Sequence, residues 1–259
     1  MDKLKNPKLA IPVVLMAGIF WSFGPYVVRN IDEAHTIPWQ YLFTRGMVIF
    51  ILLNFYLYME EGLDFINNYK KMGMSGLAGG CGLAMAMITF IWSITNTTAA
   101  ITLLCLAAMP FITALLGFLF LKETISANVW AAIGIAATGI IIMAIGNHEK
   151  NTLTGFIYGI TSAVGFSIFS VSLRWRKETP KFTTVAVAGL ICFLVSMIVI
   201  INKDLSLVSS SKNQALFTIH GTIICLGMIL YTIASKNIPA AELTLLSLTE
   251  VIGGIFWVW

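Results

Sequence analysis

The sequence predicts an all-α integral membrane protein, and two observations support that fold class. Of the 259 residues, 58% are hydrophobic and only 11% are charged, whereas soluble domains carry about 25% charged residues. A chain with so little charge does not cover a water-facing surface. The apolar residues also fall into long runs, and a helix needs about 20 such residues to cross a bilayer. Both observations exclude a water-soluble class of protein.

Nine apolar runs approach the length of a membrane-spanning helix, so we predict nine transmembrane helices. Barrel strands need only about 10 residues and alternate strictly between apolar and polar, unlike these runs. The predicted spans are Ile11–Val28, Pro38–Met59, Met72–Trp92, Ala99–Leu121, Ala127–Gly146, Gly155–Leu173, Thr183–Ile201, Leu216–Ala234 and Ala240–Trp259. The connections between them are short and hold most of the charges. None is long enough to form a separate soluble domain.

Lysine and arginine are unevenly distributed between the two sets of connections. If the N-terminus is cytoplasmic and the spans alternate, most of the 16 basic residues fall on the cytoplasmic side. By the positive-inside rule, this distribution predicts a multi-pass protein of the plasma (inner) membrane with a cytoplasmic N-terminus. Because the basic residues are spread over short connections, they do not indicate nucleic-acid binding.

Two stretches of the sequence resemble one another. Asn96–Glu123 and Asn237–Trp259 both open with Asn, two further residues and Ala-Ala, and both continue through a run rich in Thr and Leu. They belong to the fourth and ninth spans, and this odd separation places the two copies in opposite orientations across the membrane. Inverted repeats are typical of secondary transporters with a site near the midplane. Shared Leu-rich composition alone would account for part of the likeness.

The stretch "AAITLLCLAAMPFITALLGFLFLKETISANVWAAIGIAATGIIIM" resembles the signature of EamA-type permeases of the drug/metabolite transporter (DMT) superfamily. In that signature a helix with a central proline ends in Leu-x-Glu, and a Gly-rich helix follows after a short turn. The segments "AGIFWSFG", "FTRG" and "TEVIGG" agree with the same family. The resemblance implies a bundle of ten helices in two inverted five-helix repeats, cytoplasmic termini, and export or exchange of small metabolites such as amino acids.

This template divides the chain into a first repeat, residues 1–148, and a second, inverted repeat, residues 149–259, which holds only four predicted helices. The sequence departs from the template in two places. Val251 stands where the family often has proline, which predicts a straighter ninth span. A tenth helix would follow Trp259, so the repeat favours a truncated chain. A nine-span protein with Trp257 and Trp259 at the membrane interface is the alternative.

Two ionisable side chains are predicted to lie within the membrane. Arg45 is about seven residues into the second span and Glu250 about ten into the ninth, roughly 10 and 15 Å deep. Residues of this kind normally face the bundle interior and are functional candidates. Arg45 is interpreted either as an anion-binding or gating residue, or as a structural side chain that bonds carbonyls or extends to the surface. Glu250 is either a proton-binding site or a neutral or paired carboxyl that fills a polar gap, and an Arg45–Glu250 pair is a further hypothesis.

The resemblance adds candidates for a substrate pocket, because the matching helices line a central cavity in this family. Together with Arg45 and Glu250, the candidates are Trp21, Ser22, Phe90, Trp92, Ser167 and Tyr231. Aromatic rings with a few hydroxyl groups suit an apolar pocket with orienting polar groups, although each residue alone also fits simple packing. His220 is interpreted as a packing or interfacial residue, and Glu123 as a charge that stabilises a tight turn.

These observations predict a secondary transporter that moves a small metabolite by alternating access, driven by protons, by another ion or by exchange. The sequence lacks the motifs G-x-x-x-x-G-K-[ST], H-E-x-x-H and G-x-S-x-G, so we expect no enzyme activity, no cofactor and no metal. One alternative is a non-transporting or truncated membrane scaffold. An intramembrane enzyme is less favoured, because His35, His148 and His220 are scattered along the chain.

Overall fold

The computed structural model describes residues 7–124, 126–131, 133–135, 138, 153–176 and 178–258. Within these residues the secondary structure is helical, with no strand, and eight helices are long and apolar enough to cross a membrane. The predicted all-α membrane fold is therefore confirmed. The fifth predicted span, Ala127–Gly146, lies largely outside the described residues; those of its residues that are described are helical.

Short connections join the helices. In the first part of the chain the helices are α1 (Pro7–Asn30), α2 (Pro38–Glu61), α3 (Ile66–Lys71), α4 (Gly73–Asn96), α5 (Ala99–Leu106) and α6 (Met109–Leu116). A 3₁₀ turn, Gly62–Phe65, precedes α3, and a π-helical turn, Gly117–Leu121, follows α6. In the second part the helices are α7 (Leu153–Trp175), α8 (Lys181–Asn202), α9 (Ser211–Ala234), α10 (Ala240–Leu246) and α11 (Thr249–Val258).

Contacts between the connections show that the spans alternate in direction. After α1, Asp32 accepts a hydrogen bond from Lys212 Nζ, at the start of α9, at 2.6 Å. At the opposite face, Arg174 at the end of α7 donates to the carbonyl of Ser235, just after α9, at 3.1 Å. We call the face that holds the start of α1 the near side, and the face that holds Asp32 the far side.

The fourth membrane span is broken near its centre. α5 ends at Leu106, and α6 begins at Met109 with Pro110 in its first turn. Proline lacks an N–H donor and clashes with the preceding turn inside a helix, but it is tolerated at a helix start. The central proline of the sequence therefore accounts for this break.

The ninth span is broken at a corresponding place without a proline. α10 ends at Leu246 and α11 begins at Thr249, so the prediction that Val251 leaves this span straighter was wrong. The Ser247 hydroxyl donates to the Thr244 carbonyl at 2.8 Å, and such local side-chain bonds compete with the helical pattern. The break in the ninth span thus carries hydroxyl side chains, whereas the corresponding break in the fourth span carries a proline.

α1 packs closely against the break in the ninth span. A Cβ added to Gly18 would lie 1.9 Å from Thr249 Oγ1 and 3.1 Å from the backbone nitrogen of Glu250. A Cβ added to Gly253 would lie 2.6 Å from Ser22 Cβ. Small residues of this kind let membrane helices approach to backbone contact. The position of Glu250 is therefore fixed by contact with α1.

Candidate substrate cavity

A cavity of about 60 Å³ lies within the helix bundle. Its lining residues come from α1, α2, α4, α5, α6, α7, α9 and α11, so both parts of the chain contribute. Most of the lining is apolar, and its polar side chains are those of Arg45, Ser162, His220 and Glu250. A mostly apolar pocket with a few convergent polar groups is typical of small-molecule sites.

Arg45 is anchored in the cavity wall by α4 and by its own helix. Its side chain is buried, and Nη2 donates to the Met87 carbonyl at 2.8 Å. The guanidinium carbon lies 5.2 Å from the centroid of the Tyr41 ring, one turn earlier on α2. Among the described residues, Arg45 Nε has no hydrogen-bond partner. The side chain thus combines one bond to the backbone of α4 with a buried donor that has no partner among the described residues.

Glu250 lies in the first turn of α11 and lines the same cavity. The hypothesis of an Arg45–Glu250 ion pair was wrong for this structure, because no salt bridge joins them in the part of the chain that is described. The guanidinium is held instead by the Met87 carbonyl and the Tyr41 ring. The helix dipole of α11 favours a negative charge at this position. Within the described residues, the acidic side chain of Glu250 and the basic side chain of Arg45 therefore line one cavity without a salt bridge between them.

His220, interpreted from the sequence as a packing or interfacial residue, lines the cavity. It lies on α9, its side chain is fully buried, and Nδ1 is hydrogen-bonded to the Tyr41 hydroxyl. The two rings are stacked, 5.8 Å apart with an angle of 8° between their planes. Nε2 has no partner within the described residues. In the sequence, the feature that could have indicated a cavity residue was a histidine within an apolar span. A single histidine at such a position is equally compatible with packing between helices.

Three of the predicted aromatic candidates are close to the cavity. Trp21 and Phe90 line it. Tyr231 lies behind Trp21, with ring centroids 5.3 Å apart, and its hydroxyl shares a hydrogen bond of 2.7 Å with Ser170 Oγ. The Tyr231 ring therefore supports the wall that Trp21 presents, instead of forming that wall itself.

The structure places the other three candidates away from the cavity lining. Ser22 Oγ accepts a hydrogen bond from Trp257 Nε1 at 3.0 Å and joins α1 to α11. The Trp92 ring packs against Trp39, with centroids 5.5 Å apart. Ser167 donates to backbone carbonyls of α7 and α6. These side chains form hydrogen bonds or ring contacts with other side chains or with the backbone. Such contacts cannot be read from the residue types alone.

Comparison with known proteins agrees with this fold. Residues 8–145 match the EamA-like transporter family. The chain belongs to that family. An uncharacterized transporter of Helicobacter pylori strain J99 is 23% identical to this EamA-like transporter over 261 residues, which cover 95% of this chain and 84% of that protein. The uncharacterized transporter YojE of Bacillus subtilis strain 168 is 27% identical over 135 residues, which cover 49% of this chain and 44% of that protein.

A solved crystal structure supports the fold of the EamA-like transporter. It superposes with a TM-score of 0.76 at 15% sequence identity and covers 97% of this chain and 87% of its own. This likeness shows that the two chains share one helical fold. The family resemblance of the fourth- and fifth-span motif is confirmed, and the chain is a multi-pass membrane transporter.

In this EamA-like transporter, Glu123 does more than stabilise a turn. Its Oε1 accepts from Arg174 Nε at 2.6 Å, and its Oε2 accepts from the backbone N–H of Ala240 at 3.1 Å. Arg174 Nη1 also donates to the carbonyls of Ser235 and Ile238, at 3.1 and 2.8 Å. This near-side network joins the segment after α6 to the end of α7 and the start of α10.

Proposed function

We propose that this transporter moves a small zwitterionic metabolite, such as an amino acid, through the central cavity by alternating access. The observation that carries the proposal is that Arg45 and Glu250 line one apolar chamber and, among the described residues, form no ion pair with each other. These two groups match the carboxylate and the ammonium of an amino acid. The aromatic and methionine walls suit an apolar side chain.

Alternating access requires that the two sides of the cavity open in turn. In the proposed cycle the first repeat, residues 1–148, and the second repeat, residues 149–259, move against one another. The near-side bond between Glu123 and Arg174 and the far-side bond between Asp32 and Lys212 each join one repeat to the other. In each half of the cycle, one of these two ion pairs is broken while the other stays formed.

Glu250 is the proposed coupling residue. Within the described residues its carboxylate has no recorded ion pair or side-chain hydrogen bond, although it lies in the chamber that the substrate enters. A proton and a substrate ammonium compete for one carboxylate, and this competition links the two binding events. Since the sequence has no nucleotide-binding motif, a proton gradient or exchange supplies the driving force.

The same proposal assigns the protein to the plasma (inner) membrane and the direction to export. The near-side connections carry basic side chains, including Lys70, Lys71, Lys122, Arg174 and Arg176. Basic residues near the ends of membrane spans favour the cytoplasmic side. The near side is therefore cytoplasmic in this scheme, and the substrate leaves through the far side as protons enter.

Substrate counterflow in proteoliposomes tests the proposed function. Vesicles that contain the purified full chain are loaded with one unlabelled amino acid from a panel of neutral, acidic and basic members, and are then diluted into the radiolabelled form. We expect transient accumulation of label for at least one zwitterion, and none in protein-free vesicles. If no zwitterion in the panel shows counterflow, the proposed function is wrong and a non-transporting scaffold is favoured.

A further inference from the structure

We infer that His220 is a second substrate-binding donor beside Arg45, and that Tyr41 holds its ring with the proton on Nε2, directed to the cavity. The group that this pair of donors binds is the carboxylate of the substrate. The inference rests on the proposed function, because it assigns part of the zwitterion to named atoms.

The position of the His220 ring is set by close packing between α9 and α2. A Cβ added to the neighbouring Gly221 would lie 3.1 Å from the side chain of Val48 and 3.4 Å from the Cα atom of Arg45. The two helix backbones thus approach closely beside the imidazole. The nearly parallel Tyr41 ring and its hydrogen bond to Nδ1 orient the imidazole on the other side.

The hydrogen bond with Tyr41 selects the tautomer of His220. In a neutral imidazole one nitrogen donates and the other accepts, and the partner of one nitrogen fixes the state of the other. The guanidinium of Arg45 over the Tyr41 ring makes the phenol hydroxyl a stronger donor and repels a second cation on His220. The Tyr41 hydroxyl therefore donates to Nδ1, and the proton of the ring resides on Nε2.

This tautomer leaves a buried donor without an acceptor. Buried polar atoms that lack a partner are rare, and leaving them unpaired is costly. A Cβ added to Gly24 of α1 would lie 3.4 Å from His220 Nε2, so the side chain that Gly24 lacks would be in ordinary contact with this nitrogen, and both residues line the cavity. In the part of the chain that is described, Arg45 Nε also lacks a hydrogen-bond partner.

His220 Nε2 and Arg45 Nε belong to side chains that both contact Tyr41, and neither atom has a partner among the described residues. Together these two donors indicate the chemistry of the ligand. A carboxylate offers two oxygens with about four acceptor sites, and it accepts bonds from two donors at once. Glu250 then remains for the ammonium of the same molecule. A binding site built for a polar group discriminates strongly against analogues that lack that group, so the carboxylate becomes the feature by which this transporter selects its substrate.

Substitutions at His220 and Tyr41 test the inference through substrate KM. His220→Leu removes the donor, His220→Gln retains an amide donor, and Tyr41→Phe keeps the ring while removing the hydroxyl. Tyr26→Phe, at an exposed tyrosine of α1, is the matched control. Each variant is assayed by counterflow with a transported amino acid, and with its decarboxylated amine as a competitor.

We expect His220→Leu to raise the KM for the amino acid about tenfold, corresponding to the loss of one hydrogen bond to a charged group. We expect smaller increases for His220→Gln and Tyr41→Phe, no change for Tyr26→Phe, and unaltered inhibition by the amine in every variant. Equal losses for the amino acid and the amine, or an unchanged KM in His220→Leu, would overturn the inference while leaving the proposed function intact. If the wild-type chain transports no zwitterion, the proposed function fails and the inference fails with it.

A measurement on the wild-type side chain covers the case in which the variants do not fold. In protein labelled with ¹⁵N-histidine, the resonances of His220 are assigned with His35→Gln and His148→Gln, which remove the other two histidines. We expect an unprotonated Nδ1 and a protonated Nε2, and a shift of the Nε2 resonance when the amino acid is added. A protonated Nδ1, or an Nε2 resonance that the amino acid leaves unchanged, would contradict the inference.

Discussion

Met109 and Glu250 occupy corresponding positions at two helix breaks and line the same cavity. Met109 is the first residue of α6, and Glu250 lies in the first turn of α11. Each follows the opening asparagine of its repeat, Asn96 or Asn237, by the same number of residues. One repeat therefore places a thioether in the cavity and the other a carboxylate, so that similar backbones support different chemistry.

A cysteine at position 109 is expected to be protected by substrate. In a Cys81→Ser background, Met109→Cys should react with a small thiol-specific reagent, and a transported amino acid should slow that reaction. Phe111→Cys is the control, because Phe111 lies two residues away on the outer surface of the bundle, with 49% of its side chain exposed. Protection of both positions, or of neither, would show that the cavity is not where the substrate binds.

The substitution Arg45→Lys distinguishes a substrate-binding role of Arg45 from a purely structural role. Lysine keeps a cation near the Tyr41 ring and a donor for the Met87 carbonyl, but it lacks the planar fork that binds a carboxylate through two parallel bonds. We expect the KM for the amino acid to rise about tenfold, the effect of roughly 1.4 kcal/mol, with little change in thermal unfolding in detergent. A lower unfolding temperature with an unchanged KM would support the purely structural interpretation of Arg45.

The near-side pair of Glu123 and Arg174 is expected to contribute more than the far-side pair. Both have an N–O distance of 2.6 Å, but the Glu123–Arg174 side chains are 20% and 25% exposed, and those of Asp32 and Lys212 are 60% and 57% exposed. Double-mutant cycles with Gln, Asn and Met substitutions should give coupling free energies of about 1–2 kcal/mol for the near-side pair and below about 0.5 kcal/mol for the exposed pair. Equal values would contradict the expectation that the less exposed near-side pair is the stronger of the two.

Gly18→Ala is expected to disturb the contact between α1 and α11. The added methyl group would overlap Thr249 Oγ1 and press on the backbone of Glu250, and overpacking of this kind costs about 1–3 kcal/mol. Gly134→Ala is the control, since a Cβ at Gly134 meets nothing within 4 Å. Thermal unfolding should show a clear loss of stability for Gly18→Ala alone. Similar stabilities for the two variants would mean that α1 tolerates a wider spacing from the ninth span.

Hydropathy and residue spacing predicted the membrane fold because the bilayer imposes a length and an apolar composition on each helix. Eight predicted spans agree with helices of the structure, and the family followed from one extended motif. Arg45 and Glu250 were identified for one physical reason. Burial of a charged side chain in an apolar membrane span is energetically unfavourable, so such residues are usually functional.

The remainder of the site depended on which way each side chain points. Ser22 and Ser167 have the composition of pocket residues, yet their hydroxyls bond to neighbouring groups. His220 resembled a packing residue, but its unpaired nitrogen lies at the cavity. The break in the ninth span was missed because no proline marks it, in contrast to the fourth span.

The most direct test of the account compares Glu250→Gln with wild type under a proton gradient. Proteoliposomes with an acidic lumen should accumulate the amino acid when they contain wild-type protein or the control Glu242→Gln, whose carboxyl lies in the first turn of α10. Glu250→Gln should retain counterflow at saturating substrate, because glutamine still accepts a hydrogen bond from the ammonium, but it should show no accumulation driven by the gradient. Gradient-driven accumulation by Glu250→Gln at the wild-type level would contradict the central claim that this carboxylate couples proton movement to transport.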